Sequence, residues 1–162
     1  MQVLIVCTAN RCRSVMAQAL FDQAAARCSL PLTVASAGLA VKRAEPADPI
    51  TIRLLQRQGL QPHLSHQSRR IQALMHHPWD LILVMEPMQR ALMIERYPQY
   101  RSQIFCLDPA LQAIIDPYRH SWQTYQATLE QMQPMVEYWM ARLFAPLVQG
   151  QPCSSAAAQV MR

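Results

Sequence analysis

Cys7 and Arg13 stand six positions apart in the stretch CTANRCRS, a C-x5-R spacing that directly follows the apolar run Val3-Leu4-Ile5-Val6. A loop between a strand and a helix can turn its main-chain N–H groups inward and hold a phosphate dianion, with the positive end of the helix behind it. A cysteine at the base of such a loop is stabilised as a thiolate, the form that attacks. Arg13 would take two phosphate oxygens at once and steady the charge of the transition state. The Ser14 hydroxyl would donate to the sulfur and improve it as a leaving group. Asn10 tolerates left-handed backbone and can hold the loop in shape. Thr8, Ala9, Asn10, Arg11, Cys12, Arg13 and Ser14 therefore form the candidate loop. The spacing alone is weakly specific, since Cys7 could be an ordinary buried residue at a strand end. An acid is also needed, and three Asp-Pro pairs compete for that role: Asp48, Asp108 and Asp116. Asp48 reads as a helix cap, whereas Asp108 directly follows an expected strand and is a topological rival to Asp116.

The elements that must position these groups follow from the apolar patterning. Val3 to Val6 reads as a buried parallel strand. Val15, Met16, Ala19, Leu20 and Phe21 predict a helix to about Arg27. Leu32 to Ala35 predicts a second strand, stopped by Ser36-Ala37-Gly38. Asp48-Pro49 marks the start of a helix that ends at Gly59. A short helix is expected over 66–75, a central strand over 81–85, a helix from Pro87 to Arg96, and a fourth strand from Ile104 to Leu107. The stripe Met132, Met135, Val136, Trp139, Met140, Leu143, Phe144 and Leu147 predicts a long last helix packed on the core. Strands alternating with helices give an α/β class: a four-stranded parallel sheet, doubly wound, flavodoxin-like, in three α/β/α layers. Ligands of such sheets sit beyond the carboxyl ends of the strands. One domain is expected over 1–149, with a disordered tail over 150–162.

Composition narrows the classes. The chain has 162 residues, a net charge of +5 and 51% hydrophobic residues, enough for a full core. Fourteen of the fifteen basic residues are arginine, the side chain that grips phosphate bidentately. No basic block longer than Arg69-Arg70 supports nucleic-acid binding. The five cysteines are scattered, with no CxxC pair, so a disulfide scaffold and a zinc site are not expected. No metal or cofactor is expected. No run is long enough for a membrane span and the N-terminus shows no signal pattern, which points to a cytoplasmic protein.

The sequence VCTANRCRS resembles the signature of the low-molecular-weight protein tyrosine phosphatases, V-C-x-G-N-x-C-R-S-P. Further similarities are Ser36-Ala37-Gly38, Pro46-Ala47-Asp48-Pro49, His66, the strand end Met85-Glu86, and Asp116-Pro117-Tyr118. Together they span about residues 2–145. The stretch Asp116-Pro117-Tyr118-Arg119-His120-Ser121 is most similar to bacterial members paired with tyrosine autokinases in polysaccharide export. The resemblance implies that Cys7 forms a phosphocysteine, that Asp116 is the general acid, and that Ser36 braces Asn10. It also implies that Tyr118 flanks the substrate ring and that Cys12 can guard Cys7 by a reversible disulfide. The implied partner is a phosphotyrosine protein such as a tyrosine autokinase, acted on by a monomer or weak dimer.

Three positions depart from the family pattern. Ala9 replaces glycine, which would strain the loop if that position needs positive φ. Val15 replaces proline. Arg11 replaces an apolar or small residue and could attract acidic residues beside the phosphotyrosine or point to solvent. The rival readings are an arsenate reductase, which lacks the extra cysteines it would need over 80–95, and a non-catalytic phosphotyrosine-binding module.

Overall fold

The computed structural model describes residues 1–144. The chain order is β1 (Gln2–Cys7), α1 (Arg13–Cys28), β2 (Thr33–Gly38), α2 (Pro49–Arg57), β3 (Leu81–Val84), α3 (Pro87–Arg96), β4 (Ile104–Cys106) and α4 (Trp122–Phe144). Single 3-10 turns occupy Ile71–Ala73 and Pro98–Tyr100. The four strands are parallel in the order β2-β1-β3-β4. This is the expected doubly wound sheet. The order reverses at β1, so a crevice opens beyond its carboxyl end, where Cys7 stands.

The residues of β1 alternate between two separate cores. Val3, Ile5 and Cys7 join a cluster with residues of α1, α2 and α4. Leu4 and Val6 join one formed with the segment Ile71–Trp79 and Met93 of α3. Because both faces are covered, β1 carries an unbroken apolar run rather than alternating polarity. The apolar stripe of α4 packs as expected, with Met132, Val136, Trp139, Met140 and Phe144 buried. Leu147, the domain end at 149 and the tail over 150–162 lie outside the described residues.

The helix expected over 66–75 does not form. Only Ile71–Ala73 makes a 3-10 turn, and the chain before it is extended. Its main chain is used elsewhere: the Gly38 N–H donates to Arg69 O at 2.8 Å, and Pro46 bridges Gln67. These long-range bonds hold the segment beside the crevice, which a helix would have withdrawn.

Asp48 is the helix cap that the sequence suggested. Its Oδ2 accepts from Ile50 N at 3.0 Å and Thr51 N at 3.3 Å, and Pro49 takes the first helical position. The Asp48 N–H donates to Arg11 O at 3.0 Å, so the start of α2 also steadies the loop after β1. Replacing Asp48 by Ala removes the cap and should lower unfolding free energy by about 0.5–2 kcal/mol in urea titrations, while Asp48→Asn should retain most of it. Equal midpoints for Ala and wild type would show that the cap contributes nothing.

Candidate active site

The loop between β1 and α1 is shaped by Asn10. Its backbone lies in the left-handed region at φ 56°, which asparagine tolerates better than most residues. Every polar group of this buried residue is engaged. Its N–H donates to Cys7 Sγ at 3.2 Å. Its Nδ2 donates to Ser14 Oγ at 2.9 Å and to Ser36 Oγ at 3.0 Å, the bracing contact expected for Ser36. Its Oδ1 accepts from Arg69 N at 2.9 Å, and its carbonyl accepts from His66 Nε2 at 2.8 Å. Ser36 Oγ passes its own proton to Gln18 Oε1 at 2.7 Å. Ala9 is absent from the positive-φ residues, so alanine imposes no backbone strain there. The steric demand falls on Gly38: a Cβ there would stand 2.8 Å from Thr8 O and 3.0 Å from Ala9 C. Val15 is simply buried in the core as part of the first turn of α1.

Cys7 is buried at the base of the loop with its sulfur 3.0 Å from Ser14 Oγ. Because Ser14 Oγ already accepts from Asn10, its own proton is free to point at the sulfur. The sulfur therefore receives a main-chain N–H and a hydroxyl, the donors that stabilise a thiolate.

Arg13 opens α1 and is almost wholly buried. Its Nη1 donates to Glu86 Oε1 at 2.5 Å and to Ile114 O at 3.1 Å. Its Nη2 donates to Asp116 Oδ2 at 2.6 Å. These contacts leave the Nε–H and one Nη2 N–H without a protein partner. A guanidinium with free N–H groups can take two oxygens of a phosphate at once. Glu86 is itself held by Gln89, whose Nε2 also donates to Thr8 Oγ1 at 3.1 Å.

The three aspartates separate clearly. Asp48 caps α2. Asp108 is buried and closes a turn by accepting from Ala110 N at 2.8 Å. Asp116 lines the same cleft as Cys7, Thr8, Arg11 and Arg13. Its Oδ1 accepts from Tyr118 N at 3.2 Å, which aims the other oxygen at Arg13. Tyr118 stands half-exposed at the mouth between two guanidinium groups, Arg11 at 5.5 Å and Arg119 at 5.2 Å from its ring centre. Arg11 neither points to solvent nor stands free. It pairs with Glu45 at 3.2 Å, donates to Pro46 O at 3.2 Å and reaches Tyr118 OH at 3.4 Å.

Cys12 lines the same cleft as Cys7 and is buried beside the α2 and α4 residues Thr51 and Tyr125. Burial pushes its thiol up to about 12, so it is protonated at neutral pH. Cys7, Cys12 and Cys106 are free thiols. Sequence reasoning missed the supporting roles of Glu86, Gln89, Gln18 and Arg69. Only Glu86 carried a readable signal, being an acid at the carboxyl end of a central strand.

Residues 2–148 match the model of the low molecular weight phosphotyrosine protein phosphatases, and the chain belongs to that family of cysteine-dependent enzymes. It is 34% identical to the probable low molecular weight protein-tyrosine-phosphatase EpsP of Ralstonia nicotianae, over 88% of this chain and 96% of that one. It is 32% identical to the low molecular weight protein-tyrosine-phosphatase Wzb of Salmonella typhi, over 93% and 98%. Among solved structures, the YwlE arginine phosphatase with a phosphorylated active-site serine superposes with a TM-score of 0.81 at 26% identity, covering 90% and 96%.

The His66 contact has a pH signature. Burial, the largest influence, lowers its pKa below the ordinary 6.5 despite the opposing pull of the Asn10 carbonyl. The unfolded chain therefore binds the proton more tightly than the folded one, and His66 lowers stability as pH falls through about 6.5. Chemical denaturation at pH 7 and pH 5 should show this loss in wild type and a smaller one in His66→Gln. An identical pH dependence in both proteins would exclude His66 as its source.

Proposed function

We propose that the protein hydrolyses phosphotyrosine in proteins through a phosphocysteine intermediate. The observation that carries this reading is the meeting of Cys7, Arg13 and Asp116 in one cleft. The Cys7 thiolate attacks phosphorus. The S–P bond forms as the bond to the tyrosine oxygen breaks, and Asp116 gives that oxygen its proton. Water then attacks phosphorus and passes a proton to Asp116. The P–S bond breaks, inorganic phosphate leaves, and the Ser14 O–H steadies the departing thiolate. Arg13 holds the phosphoryl oxygens through both steps. The phosphorylated active-site serine of the C7S mutant of the YwlE arginine phosphatase supports a phosphoenzyme on this fold.

Tyr118 at the mouth offers a face for the substrate ring. Similarity to EpsP and Wzb, together with the stretch Asp116 to Ser121, supports a tyrosine autokinase or a related protein of polysaccharide export as the partner. A cytoplasmic location fits that partner, and no helix among the described residues is long and apolar enough to cross a membrane.

Hydrolysis of p-nitrophenyl phosphate tests the chemistry. Cys7→Ser should show almost no turnover. Asp116→Ala should lose about 10²–10⁴-fold in kcat, while Asp108→Ala should keep near-normal kcat. Normal rates in Cys7→Ser would overturn the reading. Wild type should also release phosphate from phosphotyrosyl autokinase faster than from phosphoarginyl protein; the reverse order would reassign the substrate.

Cys12 supports a guarding role, with peroxide as oxidant. Peroxide converts the Cys7 thiolate to a sulfenic acid with release of hydroxide. The Cys12 thiol then displaces water to form the disulfide. The high Cys12 pKa makes this closure slow at neutral pH and faster as pH rises. After brief peroxide treatment, a dithiol should restore more activity in wild type than in Cys12→Ser, with the gap widening from pH 7 to pH 9. Equal recovery at both pH values would remove the role.

A further inference from the structure

The cleft at the end of β1 has a volume of about 870 Å³. Pockets of that size take a whole drug-sized ligand, so there is room for residues on either side of a phosphotyrosine. Five cationic side chains line it, Arg11, Arg13, Lys42, Arg43 and Arg119, against two carboxylates, Glu45 and Asp116. The pairing among them is uneven. Glu45 takes both Arg11 and Arg43, and Asp116 takes Arg13. Lys42 and Arg119 have no carboxylate partner among the described residues, and both are exposed.

Neither cation is loosely placed. The guanidinium of Arg70 donates to Val41 O and to Lys42 O, both at 2.9 Å, and so pins the main chain that presents Lys42. Arg119 follows Tyr118 at φ 64°, a left-handed conformation that favours glycine, and its guanidinium stacks on the Tyr118 ring. The segment carrying Lys42 and the loop carrying Arg119 contribute to the same cleft.

We propose that Lys42 and Arg119 are specificity-determining residues that select phosphotyrosines flanked by acidic residues, their cationic heads pairing with carboxylates that extend from the phosphorylated segment. The inference rests on the phosphotyrosine reading above and adds the sequence context of the substrate. Arg11 takes no part in this selection, because it is already paired with Glu45. The pairs form at an exposed rim, so they weaken with salt over a screening length of about 8 Å at physiological ionic strength.

The test compares two phosphotyrosyl peptides of equal length, one with glutamates on both sides of the phosphotyrosine and one with glutamines. Wild type should favour the acidic peptide by about tenfold in kcat/KM at low salt, and by less at 0.5 M salt. Lys42→Gln and Arg119→Gln should each reduce the ratio, and the double variant should bring it near one. Lys42→Gln should leave p-nitrophenyl phosphate hydrolysis unchanged. Equal kcat/KM for the two peptides in wild type, or a ratio that survives in the double variant, would overturn the proposal while leaving the phosphatase reading intact. Loss of all phosphotyrosine hydrolysis by wild type would instead defeat the phosphatase reading itself.

Discussion

The site depends on one residue whose backbone is held where few side chains are comfortable. Asn10 turns the chain left-handed, which brings its own N–H onto the Cys7 sulfur. Its amide then ties the loop to Ser14 on α1, to Ser36 on β2 and to the main chain of Arg69. The contact to Ser14 also has a direction: by filling the acceptor side of that hydroxyl, it leaves the O–H for the sulfur. The strand, the helix and the extended segment before the 3-10 turn at Ile71 are thereby fixed relative to the Cys7 sulfur. A buried network of this kind is stable because its members are satisfied, since an unpaired polar group at such depth costs about 1–3 kcal/mol.

Charge placement follows a second constraint. A buried guanidinium is tolerated only with partners, and Arg13 has three, Glu86, Ile114 O and Asp116. Those partners fix the guanidinium through both of its terminal nitrogens. Arg13 and Asp116, the two charged groups of the candidate site, are thus in contact with each other. Position 13 at the first turn of α1 adds the positive end of that helix to the same spot.

Much of this was legible because it is local. Cys7, Asn10, Arg13 and Ser14 lie within eight residues, and the Val3–Val6 run before them is unmistakable as a central strand. The Asp48-Pro49 cap was readable for the same reason. The errors arose where distant main chain decides. A helix is expected over 66–75, yet the backbone groups of Ser68 and Arg69 bond to Glu45, Gly38 and Asn10. The choice between Asp108 and Asp116 also needed tertiary information, since both follow the fourth strand and precede proline. Gln18 and Gln89 carry no type signal at all, because a glutamine in a helix is ordinarily solvated.

Gly38 bears on how this protein could change over generations. The signature that this chain resembles has glycine where the chain has Ala9, and the loop holds alanine there without positive φ. The crowding lies one strand away, where a methyl group would also meet Val41 Cγ2 at 2.6 Å. The loop residue at 9 is therefore open to drift, while position 38 is frozen at the smallest residue. A gene encoding this chain could explore new residues on the pocket's own wall, but it has no neutral path through the strand that supports it.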